Sequence, residues 1–138
     1  MVKQEILVIA TQGRSTIDIT CKVQALIRES GISLGVCNLL IQHTSASLML
    51  CENADPDVRH DLETFMSDLI PDGDDRFRHQ NEGIDDMPAH IRTVLTNPDL
   101  TIPVSDGQCG LGNWQSIYLW EHRAQSNKRQ VMVTIYGE

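Results

Sequence analysis

Two apolar strands followed closely by a helix are the feature that most constrains the fold of this chain. The segment Ser33–Gln42 is apolar almost throughout and predicts a central strand, and a second apolar run near Ala46–Cys51 predicts another. Asp55 then offers a helix N-cap and Pro56 the first helical position, so a helix is predicted over Pro56–Ile70. The bend between the two strands carries a histidine and hydroxyl residues, which places polar, reactive side chains at a strand end.

The other segments predict more strands than helices. Alternating apolar residues predict an opening hairpin with strands at Gln4–Ala10 and Ser15–Thr20. A helix is predicted at Cys21–Ser30, with Gly31 as its left-handed C-terminal cap. Downstream we predict a third helix at Met87–Leu95 and then a meander of strands, in which Leu100–Val104, Trp114–Glu121 and Val131–Ile135 follow one another.

This order of elements predicts an α+β fold in one domain over residues 1–138, with a largely antiparallel β core and two to three helices. Few helices fall between strands, so few parallel crossovers are available. The buried stripe of the second helix is predicted to consist of Val58, Leu62, Phe65, Met66 and Leu69. The inward face of the third helix is predicted to consist of Ile91, Val94 and Leu95.

Composition excludes several classes of function. The formal net charge is −8, with only 11 Lys and Arg residues, which argues against nucleic acid as a partner. No apolar run approaches the ~20 residues of a membrane span, and no signal segment is recognisable, so a cytoplasmic location without membrane contact is expected. The four cysteines lack a Cys-x-x-Cys pair and are expected to be reduced.

Three of the five histidines are candidates for a metal site. His43 ends an apolar strand, His79 lies in an acidic loop and His90 lies on the flank of the third helix. If their imidazoles converge, they suit zinc, nickel, manganese or iron(II) better than magnesium, which prefers oxygen ligands. The alternative is that each is only hydrogen-bonded to a nearby carboxylate. His60 and His122 are predicted to be hydrated surface residues.

A glycine-rich segment before the penultimate strand is a further candidate. Gly110 and Gly112 would let the backbone approach a ligand or a second subunit closely, and Trp114 could supply a flat wall for an aromatic ring. The alternative is a glycine-rich bend next to a core tryptophan. No nucleophilic serine motif, phosphate-cradling loop or dinucleotide-binding fingerprint is present.

Three motifs in order, HTSASL from His43, EGIDDMPAH from Glu82 and LGNWQ from Leu111, give the chain a close resemblance to the YjbQ family, also described as secondary thiamine-phosphate synthases. The resemblance runs from about Ile6 to Glu138. It implies a sandwich-like β core, a homotrimer with sites at subunit boundaries, and a weak capacity to join a pyrimidine diphosphate and a thiazole phosphate into thiamine phosphate.

The resemblance, read with the candidates above, assigns residues to a site that binds a divalent, zinc-like metal ion and a small anionic or phosphorylated molecule. The expected metal ligands are His43, His79 and His90; the catalytic residues are Glu82, Asp86, Glu121 and Arg129; the substrate-binding residues are Thr44, Ser45, Trp114 and Gln115. Two departures matter. The family form EGNADAH is two residues shorter than EGIDDMPAH, which leaves open whether Asp85 or Asp86 is the matching acid. Ser126–Arg129 replaces the usual Gly-Pro-Arg before the last strand.

Three functions follow from these residues. The first is synthesis of thiamine phosphate, with the histidine-bound metal and Arg123 or Arg129 neutralising the departing diphosphate and Trp114 supporting the pyrimidine. The second is metal-dependent hydrolysis of a small phosphorylated or ester substrate, with Glu82 or Asp86 as the general base. The residue types alone favour this hydrolase somewhat. The third is a non-catalytic trimeric metal-binding protein.

Overall fold

Eight strands and three helices make up the chain, and the computed structural model describes all residues from Met1 to Glu138. The elements are β1 (Val2–Gln12), β2 (Ser15–Asp18), α1 (Thr20–Ser30), β3 (Leu34–Ile41), β4 (Ala46–Glu52), α2 (Pro56–Leu69), α3 (Asp86–Leu95), β5 (Asp99–Ser105), β6 (Gln108–Cys109), β7 (Gln115–Glu121) and β8 (Ser126–Gly137). The predicted α+β class is confirmed. None of the three helices has the length and hydropathy of a membrane span.

The strands form two antiparallel sheets, and this corrects the predicted hairpins. The larger sheet has the order β1-β8-β3-β5-β6 and the smaller one β2-β7-β4. The opening hairpin is therefore wrong, because β1 pairs with β8 along its whole length while β2 pairs with β7. The final meander is wrong for the same reason, since β7 and β8 lie in different sheets. β1 pairs with β8 over eleven residues, from Val2↔Tyr136 to Gln12↔Ser126. β2 is only four residues long, so pairing with it would satisfy fewer backbone hydrogen bonds of β1.

Two apolar cores hold the layers together. The main core lies between the inner face of the larger sheet and a layer formed by α1 and the smaller sheet; it includes Val23, Ile27, Leu39, Leu48, Leu119 and Val133. A second core lies on the far side of the smaller sheet, where Met66 and Ile70, at the end of α2, pack against Met49, Tyr118 and Trp120. The smaller sheet is thus buried on both faces, which decides the environment of the residues at its ends.

The ends of helices α1 and α2 lie where the sequence predicts them, but the buried faces of α2 and α3 differ from the predicted ones. Asp55 caps α2 by accepting a hydrogen bond from the backbone N–H of Asp57, and Gly31 ends α1 in a left-handed conformation, both as predicted. Of the predicted α2 stripe, Met66 is buried, but Phe65 and Leu69 are exposed. The apolar stripe of α2 is wider than the surface of the smaller sheet that it packs against, so residues at its edge stay exposed.

The inward face of α3 is partly polar: Asp86, Arg92 and Thr93 are buried on it beside Pro88 and Ala89. Ile91 is half-buried against the second core, as predicted. Val94 is 82% exposed and Leu95 60%, so their predicted burial is wrong. Arg92 is instead fully buried, and its Nη1 donates to Oε1 of Glu63 on α2 at 2.6 Å. A buried arginine with a carboxylate partner can occupy a core position, and it turns the apolar end of the helix outward.

Candidate functional site

Asp86, at the first position of α3, lies between two imidazoles. Its Oδ2 is 2.6 Å from Nε2 of His79 and 3.1 Å from Nε2 of His90, and the carboxylate is 2% exposed. The three atoms all lie within 4.8 Å of one another. Asp86 and His90 are four residues apart on the same helix and therefore share one face. The loop before α3 supplies His79.

A backbone hydrogen bond fixes the orientation of His90. Its Nδ1 donates to the carbonyl oxygen of Thr44 at 2.9 Å, which leaves Nε2 of the neutral ring as a lone-pair acceptor directed at Asp86. Two acceptors attract each other only when a proton or a metal cation lies between them. Metal-ligating histidines typically donate one ring N–H to a backbone carbonyl or carboxylate, as His90 does to Thr44, which leaves the other nitrogen for an ion.

Arg123 holds the acidic loop in place. Its Nη1 lies 2.8 Å from Oδ1 of Asp86, its Nε donates to Oδ2 of Asp85 at 3.0 Å, and its Nη2 donates to the carbonyl oxygen of Glu82 at 2.8 Å. This arrangement distinguishes the two aspartates. Asp86 faces the histidines with its free oxygen, whereas Asp85 is occupied by Arg123 and by the backbone N–H of Ala124.

Both aspartates are held in their charged form. Burial disfavours ionisation of Asp86, but hydrogen bonding to His79 and the positive charge of Arg123, with His90, outweigh it and lower its pKa. Burial likewise opposes ionisation of Asp85, and the Ala124 amide and Arg123 lower the pKa of that carboxyl. An anionic Asp86 between two imidazoles fits a divalent cation, and two histidines with one carboxylate suit zinc, manganese or iron(II).

His43 does not join this group within the chain. Its Nε2 accepts a hydrogen bond from the backbone N–H of Gln130 at 2.8 Å, and its Nδ1 lies 3.3 Å from Nη1 of Arg129. Burial and the charge of Arg129 lower the pKa of His43, which favours the neutral ring. Within one chain the group consists of two imidazoles and Asp86, because the neighbouring strand β8 holds the ring of His43. The role of His43 as a metal ligand stays a prediction.

Glu121 and Arg129 form a buried ion pair. Glu121 is fully buried, Arg129 is 4% exposed, and the guanidinium approaches the carboxylate through two nitrogens, with Nε donating to Oε1 at 2.8 Å. The carboxylate also accepts from Oγ1 of Thr11 at 2.6 Å and from the backbone N–H of Arg123. These two expected catalytic residues are enclosed by protein, with all charges paired.

Thr44 and Ser45, the expected substrate-binding residues of the HTSASL motif, link the buried Glu121–Arg129 pair to His90. Nη2 of Arg129 donates to both the carbonyl oxygen and Oγ of Ser45, at 3.2 and 3.0 Å, and the preceding residue, Thr44, accepts the bond from His90. The buried ion pair therefore fixes the backbone that orients His90. Thr44 is exposed and Ser45 is buried, so Thr44 is the one with access to a bound molecule.

His122 is buried, which contradicts the expected hydrated position. Its exposed fraction is 0%, its Nε2 is 2.8 Å from Oγ of Ser47, and its Nδ1 has no hydrogen-bond partner. Burial, reinforced by the charges of Arg92, Arg14 and Arg129, lowers its pKa to about 3. The smaller sheet is covered on both faces, so a residue just beyond its strand end is enclosed as well. His60 is exposed, as predicted.

Trp114 and Gln115 lie at the other end of the smaller sheet. Gln115 begins β7 and Glu121 ends it, so about 20 Å of strand separates them. Trp114 is 65% exposed and is not a core tryptophan. Oε1 of Gln115 accepts from the backbone N–H of Gly112 at 2.8 Å. Within one chain these residues do not reach the histidines.

A cavity of about 180 Å³ opens beside His79. It is formed by the loop between α2 and α3 together with the first turn of α3, and its lining includes Asp75, Phe77, Ile84, Met87 and Pro88. Arg14 anchors this loop from the other side, with two nitrogens on the carboxylate of Asp72 at 2.7 and 2.8 Å. Of the three candidate ligands, only His79 lines this cavity, so the cavity adjoins the candidate cation site at that histidine.

Comparison with known proteins gives matches along nearly the whole chain. A family model described as UPF0047 protein YjbQ-like matches residues 4–138. The UPF0047 protein sll1880 of Synechocystis is 51% identical over 98% of this chain and 92% of its own length, and the UPF0047 protein YjbQ of Escherichia coli O157:H7 is 45% identical over 78% and 77%.

Solved structures match the fold equally well. An uncharacterised protein of Clostridium acetobutylicum is 32% identical, with a TM-score of 0.88 over 96% of this chain and 99% of its own. The conserved hypothetical protein TT1486 of Thermus thermophilus is 30% identical, with a TM-score of 0.87 over the same shares.

Proposed function

The chain belongs to the UPF0047 YjbQ-like family, and we propose from its site that it is a metal-dependent enzyme acting on a small phosphorylated molecule. One observation carries this proposal: His90 donates Nδ1–H to Thr44 and directs its Nε2 lone pair at the anionic Asp86, beside Nε2 of His79. A single divalent cation would satisfy all three inward-facing atoms at once, whereas protons would have to be supplied to the two imidazole–carboxylate contacts separately.

Each residue of the site has a distinct role in this proposal. His79, Asp86 and His90 would hold a zinc-like divalent ion, which when bound supplies positive charge for a phosphate or diphosphate group. Arg123 keeps Oδ1 of Asp86 occupied so that Oδ2 faces the ion, and it anchors the backbone of Glu82. The exposed side chain of Glu82 is the candidate to move a proton.

The reaction that the family resemblance implies is the formation of thiamine phosphate. The thiazole nitrogen attacks the methylene carbon of the pyrimidine, a C–N bond forms, and the C–O bond to the diphosphate breaks as the diphosphate leaves with the electron pair. Positive charge at the departing group lowers the barrier.

A second candidate is metal-dependent hydrolysis of a phosphorylated or ester substrate. The donor set favours it, because two imidazoles and one carboxylate resemble the sites of zinc hydrolases more than the oxygen-rich sites that bind magnesium and diphosphate. Glu82 would then take a proton from the attacking water.

We also propose that the chain works as a homotrimer in the cytoplasm, with sites at subunit boundaries. The exposure of Trp114, and its position at the end of β7 opposite Glu121, support this assembly. In a trimer, Trp114 and Gln115 of a neighbouring copy could complete the site and stack on an aromatic substrate.

Removing the carboxylate should weaken metal binding. We expect Asp86→Asn to lower zinc affinity by at least ~10–100-fold because it removes the anionic ligand, and Arg123→Met to lower it by a similar factor because it releases Asp86 from its orientation. Calorimetric titration of the chelator-treated protein measures this. Asp61→Asn is the matched control, since Asp61 lies 3.5 Å from His60 on the exposed surface of α2, and should leave zinc affinity unchanged. Equal affinity in all four proteins would contradict the metal site.

Activity assays distinguish the reactions. The metal-loaded protein is incubated with the pyrimidine diphosphate and thiazole phosphate, and separately with a panel of phosphomonoesters and esters. Thiamine phosphate formed by the wild type but not by His90→Ala supports the synthase, and release of phosphate or acid with the same dependence supports the hydrolase. Metal binding without either product indicates a non-catalytic metal-binding protein.

A further inference from the structure

His43 is approached by two hydrogen-bond donors, although its neutral ring can accept from only one of them. The backbone N–H of Gln130 donates to Nε2 at 2.8 Å, and Nη1 of Arg129 lies 3.3 Å from Nδ1. Gln130 lies within β8, so the sheet fixes the direction of its amide, and Nε2 must keep its lone pair. A neutral imidazole carries one proton, which therefore lies on Nδ1.

The Nδ1–H of His43 and Nη1 of Arg129 are thus two donors side by side. A guanidinium has only donors, and Arg129 uses Nε on Glu121 and Nη2 on Glu121 and Ser45. Nη1 approaches no acceptor of this chain apart from the ring of His43. Arg129 is 4% exposed, and a donor removed from water without an acceptor costs free energy. An acceptor that met both donors would remove this cost.

Glu121 cannot be that acceptor. Its Oε1 accepts from Oγ1 of Thr11 and Nε of Arg129, and its Oε2 accepts from the backbone N–H of Arg123 and Nη2 of Arg129. Each oxygen therefore has two donors, one for each lone pair. The carboxylate occupies the edge of the guanidinium formed by Nε and Nη2, which leaves Nη1 on the opposite edge.

The bend between β3 and β4, residues 43–45, adds further donors. The backbone N–H groups of His43, Thr44 and Ser45 donate to no acceptor in the chain, although Ser45 is buried. Oγ of Ser45 accepts from Arg129, so its own O–H is free to donate. The carbonyl oxygen of Thr44, by contrast, already accepts from His90. Donors therefore outnumber free acceptors at this bend.

An oxyanion is the kind of ligand that this arrangement fits, because it offers several acceptors and no donor. One oxygen between Nδ1 of His43 and Nη1 of Arg129 accepts from both, and a hydrogen bond from a guanidinium to an anion is among the strong ones. Successive backbone N–H groups also bind anions, phosphate among them. His43 is half-buried and Thr44 is exposed, so an anion can reach the bend from solvent.

We propose that His43, Arg129 and the amides of the β3–β4 bend form an oxyanion subsite that binds the phosphate group of the substrate. The carbonyl oxygen of Thr44, in the same bend, orients His90 of the candidate cation site. A phosphorylated molecule held by the bend therefore lies next to the ligands of the ion. That the anion belongs to a substrate rests on the proposed function, whereas anion binding itself requires no metal.

The subsite gives His43 a role other than the expected one. With Nε2 bonded to the amide of Gln130 and a proton on Nδ1, neither ring nitrogen has a lone pair left for an ion. His43 therefore donates to the anion, while the cation is left to His79, Asp86 and His90.

The ring tautomer of His43 is the first test, and it needs no variant. Proton–nitrogen correlation NMR spectra of the chelator-treated protein distinguish a protonated from an unprotonated ring nitrogen, and the signals of His43 are assigned through its own Cβ. We expect the Nδ1–H tautomer at neutral pH, and a shift of the Nδ1 resonance when inorganic phosphate is added. The Nε2–H tautomer would overturn the subsite.

Two substitutions of His43 separate the roles of its two nitrogens. The side-chain amide of glutamine is three bonds from Cβ, as Nε2 is, so His43→Gln keeps an acceptor for Gln130 but loses the Nδ1 donor. The amide of asparagine is two bonds from Cβ, as Nδ1 is, so His43→Asn keeps a donor at that place. His60→Gln is the matched control, because it makes the same change on the exposed surface of α2.

Calorimetric titration of the chelator-treated proteins with inorganic phosphate measures the effect. We expect His43→Gln to bind phosphate at least ~10-fold more weakly than the wild type, through the loss of one hydrogen bond to a charged group. His43→Asn and His60→Gln should bind with nearly the affinity of the wild type. Equal losses in His43→Gln and His43→Asn would overturn the assignment of Nδ1 as the donor.

The outcomes separate the subsite from the proposed function. A wild type that binds no phosphate, or that binds it no more tightly than His43→Gln, overturns the subsite, and zinc binding in such a protein leaves the metal site standing. If phosphate binds as expected but zinc does not bind, the subsite stands and the metal-dependent function fails. Circular dichroism checks that each variant is folded; if His43→Gln is not, the tautomer and the phosphate-induced shift in the wild type decide.

Discussion

Replacing Arg129 by methionine should destabilise the protein by about 3–5 kcal/mol, the cost of leaving a buried charge without its partner. Glu121 is fully buried, and its carboxylate would lose the two nitrogens of the guanidinium. Ser45 would lose the same donor, so the backbone next to Thr44 would be less firmly held. Urea unfolding at pH 7 measures the free energy of unfolding.

Two further variants show whether the loss of stability comes from the buried charge of Glu121. Arg76→Met removes an arginine–aspartate pair whose arginine is 87% exposed, and it should destabilise the protein far less than Arg129→Met, because water screens an exposed pair. Adding Glu121→Gln to Arg129→Met removes the buried charge itself and should restore much of the lost stability. A loss for Arg129→Met as small as that for Arg76→Met would show that the buried pair does not stabilise the fold.

His122 should make the protein sensitive to acid. Its pKa is about 3 in the folded protein and ~6.5 when unfolded, so the unfolded chain binds more protons in the interval between these values. The stability that neutral His122 contributes is therefore complete above pH 6.5 and is lost as the pH falls towards 3. Between pH 6 and pH 4 the wild type should lose ~3 kcal/mol more than His122→Gln, at ~1.4 kcal/mol per pH unit.

Glutamine is chosen because it stays neutral and can keep a polar contact with Ser47. Urea unfolding at half-unit pH steps gives the free energy of unfolding of both proteins. Subtracting the two values removes the contribution of the carboxylates, which both proteins share. His60→Gln is the control, because the side chain of His60 is 78% exposed, and its pH profile should follow that of the wild type. Parallel profiles for wild type and His122→Gln would show that His122 is protonated in the folded state at these pH values.

Local signals predicted the elements, but not the way they pair. Asp55 and Gly31 mark helix ends through contacts within a few residues, and both were correctly placed. The partner of β1 is more than a hundred residues away, and a turn between β1 and β2 cannot reveal whether the second strand pairs back or enters another sheet. The meander of β7 and β8 failed for this reason as well.

The candidate site was partly visible in the sequence. The four-residue spacing from Asp86 to His90 indicates two side chains on one helix face. Nothing in the sequence indicates that the backbone of β8 holds the ring of His43 away from them. The burial of His122 and Arg92 had no local sign, because it depends on which faces of the smaller sheet and of α3 other elements cover.

The position of β8 as an interior strand of the larger sheet has a consequence for how the protein folds. It lies between β1 and β3, so the first strand has no neighbour until residues 126–137 have been synthesised. Contacts between residues so far apart in the chain slow folding. On the ribosome, β1 must therefore wait as an unpaired, largely apolar segment through most of translation, and early release of the chain would leave it open to aggregation.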